Sequence, residues 1–162
     1  MYKLVAIQII LVSLTLQPSV FAQDREVLRH RILDVVQRNE RQWRLKESKS
    51  LSAKAAVGFD TVYIEWQAGK TKVDVLVYVF DSEREAKESY PTAFQKCLDC
   101  FVVKEPLNKK SPTLGDENRA WEDRNLQVTG IIFRKGRFVA QAGGASIEVA
   151  EKLASYVASE MN

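Results

Sequence analysis

Both cysteines of the chain fall within one short stretch, QKCLDCFVVKEP (residues 95–106), spaced as Cys97-x-x-Cys100. That spacing suits thiol–disulfide exchange, half of a metal site, or a small structural bridge. Exchange chemistry wants its leading cysteine at a helix N-terminus, where the positive end of the dipole favours thiolate. Here the pair follows a helical stretch and faces the negative end, which blunts reactivity. No Trp, Gly or Pro flanks the pair, and no βαβ unit precedes it. Zinc takes four protein ligands, or three with an open position. There are no further cysteines, and the single histidine, His30, belongs to another element. The expectation is a local disulfide between Cys97 and Cys100 at a helix-to-strand corner. An exported thiol–disulfide protein using the same pair is the alternative.

The remaining residues with chemical potential are few. His30 would have to serve any Ser-His-Asp arrangement, yet it lies on the polar side of an N-terminal helix. The adjacent acids Asp116-Glu117 and Glu122-Asp123 read as solvated turn residues. The run GGAS, with Gly143, Gly144 and Ser146, enters the last helix, so its free amides could hold an anion or ligand. A strand-to-helix turn with Ser146 as N-cap explains the same residues without a ligand. Arg134, Lys135 and Arg137 cluster at a hairpin tip and are a candidate contact for an acidic partner. No phosphate-loop spacing is present. No catalytic residue, metal or cofactor is expected from this set.

These groups are carried by a chain of 162 residues that opens MYKLVAIQIILVSLTLQPSVFAQ. Lys3, the apolar run to Leu16 and the small residue Ala22 lay out a secretory signal, with cleavage expected after Ala22. The apolar run is too short to span a bilayer, which takes roughly 20 residues. Residues 23–162 then form a single domain, expected to be soluble and exported to the periplasm or secreted, without stable membrane insertion. The formal net charge of +3 comes from interspersed residues, 24 basic and 21 acidic, and Lys3 is lost with the signal. Such a weak, scattered balance carries no nucleic-acid footprint.

The periodicity predicts an amphipathic helix from Asp24 to about Trp43, with Leu28, Ile32, Val35 and Val36 on one stripe. Residues 46–60, polar and rich in small residues, read as a loop. Val62, Ile64 and Trp66 alternate, Gly69 makes a turn, and Val73, Val75, Val77 and Val79 share the next strand's face, giving a hairpin. Asp81 or Ser82 caps a helix that Pro91 is expected to end or kink. Phe101–Val103 suit a short strand, and residues 105–118 a loop. Three strands follow, with turns near residues 123–125 and at Lys135-Gly136, and a final helix buries Ile147, Ala150, Leu153, Ala154, Val157 and Met161. The order strand, turn, strand, helix occurs at 62–90 and again at 126–157, a weak internal echo. The sum is an α+β domain: an antiparallel sheet of five or six strands with helices packed on it, N- and C-terminal helices included.

The stretches VYVFDSEREA (77–86), LGDENRAW (114–121) and IIFRKGRFVAQAGG (131–144) with AEKLA (150–154) resemble those of small exported bacterial α+β proteins of unknown or sensor-like function. The resemblance spans most of residues 60–160. It implies a bacterial source and a fold used outside the cytoplasm to bind a small ligand or another protein. It carries no catalytic residue.

Overall fold

The computed structural model describes residues 20–52, 58–99, 104–107, 114–123 and 127–162, with side chains for 24–52, 58–95, 114–123 and 127–162. Among these the chain runs α1 (Val20–Asn39), β1 (Arg44–Ser52), β2 (Asp60–Ala68), β3 (Thr71–Val79), α2 (Glu83–Asp99), β4 (Lys104–Leu107), β5 (Glu117–Asp123), β6 (Val128–Lys135), β7 (Phe138–Gly144) and α3 (Ile147–Glu160). The seven strands form one sheet in the order β1-β2-β3-β7-β6-β5-β4. Every neighbouring pair is antiparallel. This is the expected α+β class, with β1 and β4 as its outermost strands.

Strand alternation divides the core into two layers. On one face Val73, Val75, Val77 and Val79 of β3 join Ala140 and Ala142 of β7 and Ile131 and Phe133 of β6. Over them lie Ile32 and Val36 of α1 and Ala150, Leu153, Ala154 and Val157 of α3. On the other face Ile132, Val139 and Trp121 pack beneath Phe80 and the α2 residues Ala86, Tyr90 and Phe94. Tyr90 fits this dry layer because its hydroxyl donates to the Ile132 carbonyl, 3.3 Å away.

Burial on both faces explains why β6 and β7 are legible as strands, and a fully buried alternate face why β3 is. β1 is the opposite case. Nearly every residue of Arg44–Ser52 is exposed, so no hydrophobic alternation marks it, and the loop expected at 46–60 is largely strand. Backbone pairing with β2 holds it in place. The loop expected at 105–118 likewise gives its first residues to β4, which pairs with β5. The strand expected at Phe101–Val103 lies outside the described residues.

Helix α2 runs through Pro91 to Asp99, so the proline does not end it. Pro91 lies on the exposed side, so the carbonyl one turn earlier, deprived of its amide partner, can turn to water. Tyr90 and Phe94 seat the helix on the sheet on either side of the proline. Its start follows the capping-box pattern. The Glu85 amide donates to Ser82 Oγ, and the Asp81 amide donates to the Glu85 carboxylate, both at 3.2 Å.

The internal echo survives as the order β2–β3–α2 and β6–β7–α3 but not as symmetry. A two-fold axis relating the antiparallel neighbours β3 and β7 would stand normal to the sheet and leave both following helices on one face. α2 and α3 lie on opposite faces.

Candidate functional site

The β6–β7 hairpin tip, Lys135-Gly136-Arg137, is the point where four other segments meet. Alternation puts Arg134 on the face of Ile132, beneath the start of α2, and its side chain is only 6% exposed. A lone guanidinium in such a place is costly unless it is paired. Three carboxylates answer it: Asp116 at 2.9 Å, Glu117 at 3.1 Å and Glu83 at 3.3 Å. Glu117 is the cross-strand neighbour of Arg134, so the register itself supplies one partner. Arg134 also donates to the Gly136 carbonyl at 3.2 Å, and the Gly136 amide donates to Asp116 at 2.9 Å. The turn 114–116 and the hairpin tip are thereby locked together.

The other two cations face outward and brace different helices. Lys135 Nζ donates to the Ala158 carbonyl at the end of α3, 2.8 Å away, and to Asn162 Oδ1 at 3.3 Å. A cation there also complements the negative end of the helix dipole. Arg137 pairs with Asp24 in the first turns of α1 at 2.7 Å and lies over the Phe138 ring. Its carbonyl accepts from the Phe80 amide just before α2.

Between these struts lies an open recess of about 560 Å³, lined by Asp81, Ser82, Glu83, Asp116, Lys135 and Arg137, with Phe138, Met161 and Asn162 completing it. Cationic and anionic groups thus sit side by side around a partly apolar floor, in a frame held by ion pairs to separate elements. Lys135 and Arg137 come from the sequence-predicted basic cluster and reach this recess. Arg134 lies behind it as the buried anchor of its wall. The sequence offered no sign of the rest, because Ser82, Asp116 and Asn162 converge from segments far apart in the chain.

The other candidates lie elsewhere. Gly143 and Gly144 end β7 and are buried. A Cβ on Gly143 would come within 2.8 Å of Asp74 Oδ1, and one on Gly144 within 2.7 Å of Val149 Cγ1. Close packing therefore accounts for both glycines. Ser146 caps α3, its hydroxyl accepting from the Val149 amide. Cys97 sits in the last turn of α2, at the negative dipole end; its side chain and all of Cys100 lie outside the described residues. His30 is exposed beside Arg29.

Tyr63, Tyr90 and Glu65 are held in their ordinary protonation states at neutral pH. The Tyr63 hydroxyl, on the outer face of β2, is pushed up to about 12 by partial burial and by its bond to Glu65. Tyr90 is likewise pushed to about 12 by burial. Glu65 is held below the usual carboxylate range by Tyr63 and Lys72. No group of three or more metal-ligating side chains occurs among the described residues.

The fold and recess define an α+β domain with an antiparallel seven-stranded sheet, helices on both faces, and a polar cleft at one end. The sequence matches no family model and no curated protein. The fold is similar to that of the extracellular domain of PknH from Mycobacterium tuberculosis, at a TM-score of 0.57 and 13% identity, covering 90% of this chain and 98% of that one. A more distant likeness, at a TM-score of 0.48 and 11% identity, is to a GTP binding regulator from Thermotoga maritima, over 82% and 85% of the two chains.

Proposed function

We propose that this protein is an exported, non-enzymatic domain that binds a small ligand or a protein partner outside the cytoplasm, and that the recess at the β6–β7 tip is where it does so. The observation that carries this reading is the recess itself. Its volume of about 560 Å³ falls within the roughly 300–1,000 Å³ common to small-molecule sites. Its charged walls are fixed by three ion pairs and a hydrogen bond to four separate segments, so little ordering remains to be done on binding. The side-by-side charges suit a compact ligand bearing both signs, or the charged end of a peptide.

The non-enzymatic part is supported by the sequence, whose single histidine, His30, is exposed on α1 and does not line the recess. Export is supported by the signal-like N-terminus, and the fold it shares with an extracellular domain is consistent with it.

The test is a thermal-shift titration with free amino acids and dipeptides against the wild type and Asn162→Trp, whose indole fills the recess from an exposed position. A dose-dependent rise in melting temperature in the wild type, lost in the variant, supports the reading. The same rise in both would place binding elsewhere.

A further inference from the structure

The two outer strands of the sheet are protected very differently. β4 is four residues long and contains Pro106, both standard ways of blunting an edge. β1 is nine residues long, and nearly all of them are exposed. No strand covers its outer edge among the described residues. From Glu47 to Ser52 it pairs with β2 in unbroken register, with one irregularity at Lys46. Two of the three large apolar side chains exposed among the described residues, Leu45 (48%) and Leu51 (55%), also lie on it.

The sequence of this edge is self-complementary. Glu47 and Lys49 share one face, as their 2.8 Å ion pair shows, and both are about half exposed. If a second β1 runs antiparallel with the two-fold at Ser48, Glu47 lies opposite Lys49 of the second copy and Lys49 opposite its Glu47. Opposite charges directly across an antiparallel pair stabilise it, and like charges oppose it. A two-fold at Lys49 would set lysine against lysine, and one at Glu47 would set glutamate against glutamate. A two-fold at Ser50 would leave Lys49 facing Leu51. Ser48 and Ser50 point back to α1, bonded to Arg29 and Glu26, so the edge is held in place before any partner arrives.

We infer that β1 is a homodimer edge, at which two copies of this chain pair antiparallel about Ser48 to join their sheets. The irregularity at Lys46 limits the ladder to a few residues on each side of the axis. The contact is therefore small and reversible, in the class of weak transient interfaces. A two-fold, isologous arrangement closes on itself and does not propagate into fibres.

Sedimentation of the exported protein, from roughly 10 μM to 1 mM, tests this against the micromolar-to-millimolar affinities such contacts have. The wild type should move from monomer to dimer over that range and no further. Lys49→Glu turns both cross-strand attractions into repulsions and should weaken dimerisation about tenfold or more. The double change Glu47→Lys with Lys49→Glu restores opposite charges across the axis and should restore the dimer. Circular dichroism of all three proteins checks that the fold is intact. A monomer throughout the range overturns the inference. So does a dimer unaffected by Lys49→Glu, or one that the double change fails to restore.

Discussion

Glu40 is 1% exposed, a buried carboxylate at the corner between α1 and β1. Its oxygens accept from Lys152 at 2.5 Å, from the Tyr156 hydroxyl at 2.9 Å and from the Gln42 amide at 2.9 Å. Two of these partners lie on α3, so the carboxylate joins the N- and C-terminal helices. Burial alone would push its carboxyl upward, but Lys152, Tyr156 and Gln42 outweigh that and hold it below its ordinary value of 4.5. Glu40→Ala leaves Tyr156 and Gln42 without their acceptor. Breaking a buried pair costs about 3–5 kcal/mol, and the lower end applies because the freed ammonium of Lys152 is already half in water. Glu40→Gln keeps one acceptor oxygen but loses the charge and sets an amide donor where the other oxygen accepted, at a cost of about 1–2 kcal/mol. With roughly 3–4 °C of melting temperature per kcal/mol in a domain of this size, the expected drops are about 10 °C and about 5 °C.

The pH dependence distinguishes charge from shape. A carboxyl whose folded pKa is lowered contributes stability fully above its unfolded value, and that contribution is lost as pH falls through the folded value. Thermal unfolding at a series of pH values should show the gap between wild type and Glu40→Gln full near neutrality. The gap should then close progressively below 4.5. Equal melting temperatures at neutral pH, or a gap that persists undiminished in strong acid, would refute the assignment of Glu40 as a charged strut.

Three further outcomes follow from particular residues. A Cβ on Gly130 would overlap the buried indole of Trp121, so Gly130→Ala should cost about 2 kcal/mol by overpacking and red-shift the tryptophan emission; an unchanged denaturation curve would count against the close contact. If the chain is exported as proposed, the protein denatured without reductant should show no free thiol, and Cys97→Ser with Cys100→Ser should cost at most about 2 kcal/mol for so short a loop. Robust insulin reduction by the wild type alone would instead establish the thiol–disulfide alternative. Mass spectrometry of the exported chain should find Gln23 at its N-terminus, and an intact Met1 in a membrane fraction would contradict cleavage after Ala22.

The strongest strands were legible because each carries its own signal. The valines of β3 alternate on one face, Gly69 marks the turn before them, and Ser146 announces α3 by its capping side chain. Pro91 misleads because its local cost is met by anchors on both sides, Tyr90 and Phe94, whose common surface is a distant part of the sheet. β1 was illegible for a physical reason: its outer face is exposed and its inner face meets α1 through the polar Ser48 and Ser50, so pairing with β2 leaves no hydrophobic period in the sequence. The hairpin-tip cations were visible as a cluster, but the division of labour among them was not. Arg134 turns inward because it shares a face with Ile132, and the acids Asp116 and Glu117, which looked like ordinary turn residues, are its partners. Glu40 had no local signal at all, since Lys152 and Tyr156 lie on the opposite end of the chain.

The central claim, a binding site in the recess between the β6–β7 tip and the ends of α2 and α3, is tested most directly by amide chemical-shift mapping. The isotope-labelled protein would be titrated with the amino acid or dipeptide that gives the largest thermal shift. The account predicts saturable changes clustered at Ser82, Glu83, Asp116, Lys135, Gly136 and Arg137, while Gly143, Gly144 and the outer face of β2 stay still. Saturable changes centred on any other surface, or none with any member of the panel, would contradict it.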